Sequence, residues 1–195
     1  MQRGDIDAIV SWIPEGGKVL DLGCGKGELL HRLQVEKRVE GLGVDIDPAN
    51  IIAVVEKGLR AVQQDMEDGL ENFEASRFDA VIIAYSLQVL ERPHAVLERI
   101  VSIGAEAIVT FPNFGHWRSR LSLLVSGRMP KTKALPYSWF NTPNIHLCTV
   151  ADFETLCREL NIIVVERRMS SSVGLLAQVW PNLFARSASY RITRR

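Results

Sequence analysis

Apolar runs and segments of helical period alternate along this chain. The apolar runs fall at Lys18–Asp21, Val39–Asp45, Leu59–Gln63, Phe78–Tyr85, Ala105–Phe111 and Ile162–Arg168. Helical spacing marks Glu28–Gln34, Ala49–Lys57, Pro93–Ser102 and Val150–Leu160, and a short helix at Ile6–Ile13 precedes the first strand. Such alternation predicts a doubly wound α/β fold, with parallel strands joined by right-handed helical crossovers. Ala80-Val81-Ile82-Ile83-Ala84 is apolar at every position, the pattern of a strand covered on both faces. Asp47-Pro48 sets a capping carboxylate before a proline at the first helical position, and Gly58 closes that helix. Thr149-Val-Ala-Asp152 has the form of a capping box. After Arg168 the pattern weakens: Gly174–Phe184 reads as a short helix or a loop, and Ala185–Thr193 as a returning strand.

Residues 112–148 break the rhythm. This stretch carries four prolines and several aromatics where a short connection would suffice, so it is expected to be an inserted lid or docking element within one domain spanning 1–195. Lys+Arg and Asp+Glu each total 23, and a net charge of zero excludes the electrostatic footprint of a general nucleic-acid binder. Arg118, Arg120, Arg128, Lys131 and Lys133 still allow one local basic patch. No apolar run approaches the roughly 20 residues that span a membrane, and Met1–Asp7 lacks the apolar core of a signal peptide. The three cysteines, Cys24, Cys148 and Cys157, are not spaced as metal ligands, and no C-x-x-C pair exists. Reduced thiols, no metal and a cytoplasmic location are the expectation.

The densest motif is Val19-Leu20-Asp21-Leu22-Gly23-Cys24-Gly25-Lys26-Gly27-Glu28, a strand running through a glycine turn into a helix. Its spacing is not G-x-G-x-x-G, and it lacks the Gly-Lys-Ser/Thr ending of a phosphate loop. Asp21, at the strand's end, would repel a pyrophosphate seated on the following helix. It suits a ligand with an ammonium group and no phosphate, as in S-adenosylmethionine. An aspartate there also serves simply to brace a turn, and both readings stand at this point. Asp45 ends the next strand about 20 residues on, where a carboxylate reaches ribose hydroxyls. Asp47 is a rival better explained as the helix cap. Asp65, in Gln63-Gln64-Asp65-Met66, is placed to accept from an adenine amino group.

Together these segments resemble the class I S-adenosylmethionine-dependent methyltransferases over roughly the first 110 residues, with Gly43-Val44-Asp45-Ile46-Asp47-Pro48 as a second motif and Phe78-Asp79-Ala80-Val81-Ile82 as the fourth strand. The resemblance implies a Rossmann-like, mostly parallel sheet of seven strands with an antiparallel last one. It implies S-adenosylmethionine or S-adenosylhomocysteine as cofactor, with Asp21, Gly23 and Gly25 at the methionine portion, Cys24 among the binding residues of the same loop and Asp45 on the ribose. Ile46, Asp65 and Met66 would frame the adenine, and Tyr85 would stand near the methionine end. Phe111-Pro-Asn-Phe-Gly-His-Trp-Arg-Ser-Arg, Gly127-Arg-Met-Pro and Lys133-Ala-Leu-Pro-Tyr-Ser-Trp-Phe, leading into Asn141-Thr-Pro-Asn-Ile-His-Leu-Cys, resemble the MetW-type methionine-biosynthesis proteins. That likeness implies partnership with homoserine O-acyltransferase, which such proteins support or activate.

Whether the domain transfers a methyl group stays open in the sequence. Methyl transfer needs an aligned nucleophile and sometimes a base. His116, His146, Tyr137 and Tyr85 are candidates by chemistry alone, and no Asn-Pro-Pro-Tyr follows the fourth strand. Only about sixteen residues precede the first strand, so cover for the pocket is expected mainly from Phe114–Cys148 or from another protein. Trp117, Tyr137, Trp139 and Phe140 are either interface anchors or the filling of a small subsidiary core. The alternatives are a regulator or partner of the acyltransferase, a methyltransferase acting on a small molecule, and a domain whose pocket is vestigial.

Overall fold

The apolar runs become strands β1 (Lys18–Leu22), β2 (Glu40–Asp45), β3 (Arg60–Gln63), β4 (Phe78–Ala84) and β5 (Gly104–Pro112). They are followed by β6 (Ile162–Ser170) and β7 (Ser187–Arg194). The computed structural model describes residues 3–75, 77–132, 136–171 and 174–195. The strands form one sheet in the order β3-β2-β1-β4-β5-β7-β6. β1 to β5 pair in parallel, whereas β7 lies antiparallel to both β5 and β6. The seven-stranded α/β sheet with its reversed final strand is therefore as the sequence implies.

Helices cover both faces: α1 (Arg3–Trp12), α2 (Glu28–Lys37), α3 (Pro48–Glu56), α4 (Pro93–Ile103), α5 (Trp117–Ser126) and α6 (Val150–Glu159), with two short ones, α7 (Leu175–Val179) and α8 (Pro181–Phe184). Alternation along β4 divides the core. Val81 and Ile83 pack with Leu97 and Ile100 of α4 and Phe153 of α6, while Ala80 and Ile82 pack with Ile9 of α1 and Leu29 and Leu33 of α2. Period-two burial of both faces is why this run is apolar throughout. Gly41 and Gly43 of β2 admit the helix side close: a methyl at Gly43 would lie 2.7 Å from the Cys24 sulfur. Helix starts behave as their sequences predict. The Asp47 carboxylate accepts from the Ala49 N–H at 2.9 Å, and the Thr149 hydroxyl accepts from the Asp152 N–H at 3.2 Å.

Three details depart from the sequence reading. The first helix starts at Arg3, three residues ahead of the apolar signal at Ile6. The tail 174–184 forms two helical turns, and the inserted stretch contains a full helix, α5, which its composition did not announce. Both ends of that stretch are tied to the body of the fold. The Phe114 N–H donates to the Cys148 carbonyl at 3.0 Å, and the buried Asn113 carboxamide serves three segments. Its Nδ2 donates to the Ala185 carbonyl at 2.8 Å and to the Asn182 carbonyl at 3.2 Å. Its Oδ1 accepts from the N–H groups of Gly115 and Val150, at 3.0 and 3.3 Å. Asn113→Ala strands several buried backbone groups, so thermal denaturation should show a loss of about 3 kcal/mol, or roughly 6–12 °C in Tm.

Candidate functional site

Strand order reverses between β1 and β4, and an open α/β sheet receives its ligand in the crevice at the carboxyl ends of such strands. β1 delivers Asp21 to that crevice. The residue is 2% exposed, and among the described residues its carboxyl gains no hydrogen bond to offset burial. Desolvation first, and the neighbouring Asp45 carboxylate second, push its carboxyl up from 3.8 to about 7.

The chain then leaves β1 through Gly23, Gly25 and Gly27, all left-handed, with φ of 73°, 52° and 72°. The Gly23 and Cys24 N–H groups donate to the Val44 carbonyl at 2.8 and 3.0 Å. The Gly25 N–H donates to Asp45 Oδ2 at 2.8 Å. Asp45 Oδ1 accepts from the Asp47 N–H at 2.9 Å and from Asn50 Nδ2 at 3.1 Å. Three bonds on a carboxylate with about four acceptor sites leave one for a ligand hydroxyl. Asp45 thus braces the glycine loop from the next strand.

The other sequence candidates distribute unevenly. A methyl at Gly23 would lie 2.3 Å from the Ser86 hydroxyl and 3.2 Å from the Met66 terminal carbon, so Met66 and Ser86 converge on the loop. Ile46 is exposed beside Asp45. Asp65 is exposed and accepts from the Glu67 N–H at 2.8 Å. Glu67 in turn accepts from the N–H groups of Glu91 and Arg92, at 2.9 and 2.7 Å, which fixes the stretch after β3 against the start of α4. The Cys24 side chain turns into a small cluster with Leu30, Val54 and Leu59, and burial pushes its thiol up to about 12. Cys24 therefore meets the crevice through its backbone, with an inert thiol.

Tyr85 directly follows β4 in a left-handed conformation, φ 62°, rare for a residue with a side chain. Its hydroxyl donates to the buried Asp5 carboxylate of α1, which also accepts from the Ser187 hydroxyl at 3.0 Å. Burial and Asp5 hold the phenol well above its ordinary range. Tyr85 thus serves as a tether for α1, with its proton committed to Asp5. A cavity of about 320 Å³ lies between Ile6 of α1 and the loop, walled by Asp21, Gly23, Leu29 and Ala84. Among the described residues its lining includes Ile6 of α1 and none of 113–148, so α1 contributes cover on this side, where the sequence assigned it mainly to Phe114–Cys148 or to another protein.

The remaining catalytic candidates do not converge. His116 caps α5, its Nδ1 accepting from the Arg118 N–H at 3.3 Å; burial, then Arg186 and Arg118, lower its pKa. His146 Nε2 lies 3.3 Å from the Glu91 carbonyl, and Tyr137 is half exposed on the insert. Among the described residues no group of three or more His, Cys, Asp or Glu is placed to hold a metal, and no helix is long and apolar enough to cross a membrane. Sequence reasoning missed Asn50, Ser86, Ile6 and Asp5. Asn50 sits in the first turn of α3, three residues after its cap, and that polar position was the available signal. The Asp5 contact with Tyr85 spans 80 positions and leaves no local trace.

The arrangement has zwitterionic complementarity. Asp21 offers a carboxylate to a cation. Helix α2 has Gly27 at its N-cap and no side chain capping it, so its first N–H groups can take a carboxylate. Comparison with known proteins places this geometry in context. The family described as "Methionine biosynthesis protein MetW" matches residues 3–192. The bifunctional methionine biosynthesis protein MetXA/MetW of Rhodopirellula baltica is 34% identical over 171 residues, 83% of this chain and 27% of that protein. The chain thus spans about a quarter of that relative's length. A SAM-dependent methyltransferase from Archaeoglobus fulgidus superposes with a TM-score of 0.71 at 18% identity, covering 98% of this chain and 92% of its own. The cyclase SpnF superposes with a TM-score of 0.68 at 13% identity, covering 97% and 80%. The same architecture thus occurs in proteins named for different chemistries, and at these identities the likeness speaks to fold alone.

Proposed function

Since the chain belongs to the MetW family of methionine biosynthesis proteins, we propose that its loop cavity binds S-adenosylmethionine or S-adenosylhomocysteine and that it works as a partner or activator of homoserine O-acyltransferase. The observation that carries the ligand is Asp21: a buried carboxyl, without a donor, at the rim of a glycine turn. A phosphate ligand in the cavity would meet two acidic lining residues, Asp21 and Glu28, against one base, Lys26, with Asp45 bonded to the adjoining Gly25 N–H. An amino-acid head group meets a carboxylate for its ammonium and a free helix start for its carboxylate. Asp45 then has one acceptor position for a ribose hydroxyl, while Met66 and Ile46 offer apolar surface to the adenine and Asp65 an acceptor for its amino group. S-adenosylmethionine, when bound, supplies an activated methyl on a sulfonium; S-adenosylhomocysteine lacks it.

The partnership is supported by the Rhodopirellula protein, whose name joins MetXA and MetW in one chain. It also accords with the site itself: His116 is spent on a helix cap, His146 lies by a carbonyl, and Tyr85 is bonded to Asp5. A site into which none of these histidine and tyrosine candidates is aimed suits a sensor or scaffold better than a catalyst that relies on them.

Calorimetry of the full chain with each ligand, alone and with the acyltransferase, tests both halves. Asp45→Ala should weaken either ligand at least about 30-fold, since it removes the ribose acceptor and frees the Gly25 N–H from its brace. No heat with either ligand at millimolar concentration would refute the binding claim. Failure of the acyltransferase to co-purify would refute the partnership.

A further inference from the structure

Helix α5 is built inside out. Of its ten residues only Ser119 is buried, while Leu124 and Val125 are 83% and 77% exposed and Leu121 and Leu123 are open as well. The helix is nevertheless firmly placed. His116 caps its start, the Gly127 N–H closes its end on the Leu123 carbonyl at 2.9 Å, and Arg120 Nε donates to the Gly115 carbonyl at 2.6 Å. A helix facing water carries polar residues on its outer side, and contiguous apolar surface on a fixed element marks a contact site.

Beyond Gly127 the chain forms a second concavity, about 530 Å³, walled by Arg128, Met129, Lys131, Trp139 and Phe140. Trp139 and Phe140 are 76% and 72% exposed and meet edge to face at 5.8 Å, so the subsidiary-core role for these rings does not hold. Charge sets the partner's character. From Asn113 to Cys148 the sequence has five Lys and Arg and no Asp or Glu, in a chain whose total charge is zero. Of these, Arg118 lies over the Trp117 ring at 5.3 Å, Arg120 is bonded inward, and Lys133 lies outside the described residues. Arg128 and Lys131 line the concavity without an ion pair among the described residues.

We infer that the outer side of α5 and the adjoining aromatic cavity form the docking surface for homoserine O-acyltransferase, which presents to it an acidic segment bearing a large apolar side chain that enters the cavity. The inference rests on the partnership proposed above and adds to it a surface and a chemistry. Complementary charge argues for an acidic occupant. A concave wall of aromatic side chains suits an inserted protein anchor, as at interface hot spots, better than a flat bilayer. Trp139 and Phe140 offer stacking surface, but the four exposed aliphatic side chains of α5 beside them give nucleic-acid bases none, whereas a protein partner buries both. A second copy related by two-fold symmetry would set these basic residues against themselves.

The test measures binding of the full chain to the acyltransferase of the same organism in about 0.1 M salt, with folding of each variant checked by circular dichroism. The wild type is expected to bind and to weaken as salt rises. The double variant Arg128→Glu, Lys131→Glu should weaken binding at least about 30-fold, Leu124→Asp comparably, and Trp139→Ala about tenfold. Arg60→Glu on edge strand β3 should leave it unchanged. If the wild type binds and these variants bind within about twofold of it, the surface is wrong although the partnership stands. If the wild type does not bind, the partnership falls and this assignment with it. Sedimentation showing a dimer that Leu124→Asp disperses, or phosphatidylglycerol vesicles capturing the chain while the acyltransferase does not, would assign the face to another occupant and overturn the inference.

Discussion

Asp21→Asn should make the protein more stable and a much weaker binder of S-adenosylmethionine. Holding this carboxyl at about 7 instead of 3.8 penalises the folded chain, because the charged form is the one burial disfavours. The sign is opposite to that of a salt-bridged aspartate. Below pH 3.8 the group is protonated in folded and unfolded chains alike, and no penalty exists. Between 3.8 and 7 the unfolded chain gives up the proton and the folded one keeps it, so the penalty grows. Above 7 it is complete, at most roughly 4 kcal/mol. Asparagine removes the charge but brings an amide that must also be desolvated, so the net gain at pH 8 should be about 2 kcal/mol, or roughly 4–8 °C in Tm. The advantage should shrink steadily as pH is lowered from 7 to 4, measurable by thermal denaturation across that range. Ligand affinity should move the other way. An ammonium beside Asp21 favours its ionised form, so the wild type must release a proton on binding below pH 7, and affinity should fall up to about tenfold per pH unit between 7 and 5. In the asparagine variant affinity should be lower by at least about 30-fold at pH 7.5 and flat over that interval. Unchanged ligand binding in the variant would mean that Asp21 only braces the turn.

Much of this architecture is legible in the sequence because its signals are local. The apolar runs of β4 and β5, the Asp47-Pro48 helix start and the glycine turn after Asp21 each depend on neighbours a few positions away. What the sequence conceals depends on distance. β7 is paired on both sides and buried over Ser187–Tyr190, yet it contains Ser187 and Ser189, whose hydroxyls reach Asp5 and Thr110 across 182 and 79 positions. A buried strand whose polar groups are satisfied by remote partners has a weak hydrophobic pattern, and Ala185–Thr193 reads faintly for that reason. Tyr85 looks like a pocket residue by position; only the fold reveals that α1 has claimed its hydroxyl. Helix α5 was obscured by the prolines around it and by apolar residues that face outward, so amphipathic spacing gave no hint of a core-facing side.

Alanine at Gly23 and at Gly25 should separate the folding role of the glycine turn from its binding role. Both positions are left-handed, so either methyl costs about 1 kcal/mol in backbone strain. At Gly23 the methyl also meets the Ser86 hydroxyl at 2.3 Å and its β-carbon at 2.9 Å, and relief requires moving the chain after β4. Overpacking of that kind adds about 1–3 kcal/mol. Gly23→Ala should therefore lose about 3 kcal/mol in all, roughly 6–12 °C in Tm, and bind no ligand. At Gly25 a methyl meets no atom within 4 Å, and the N–H that donates to Asp45 is retained. Its loss of stability should stop near the strain alone, about 1 kcal/mol, while the methyl projects into the open space that the backbone leaves beside Asp45. If that space is where the head group and ribose sit, Gly25→Ala binds S-adenosylmethionine at least about tenfold more weakly in a chain that melts within a few degrees of wild type. Wild-type affinity in a well-folded Gly25→Ala chain would place the ligand elsewhere on the molecule, since no other change at the loop adds bulk to the crevice with so little disturbance to the strands beneath it.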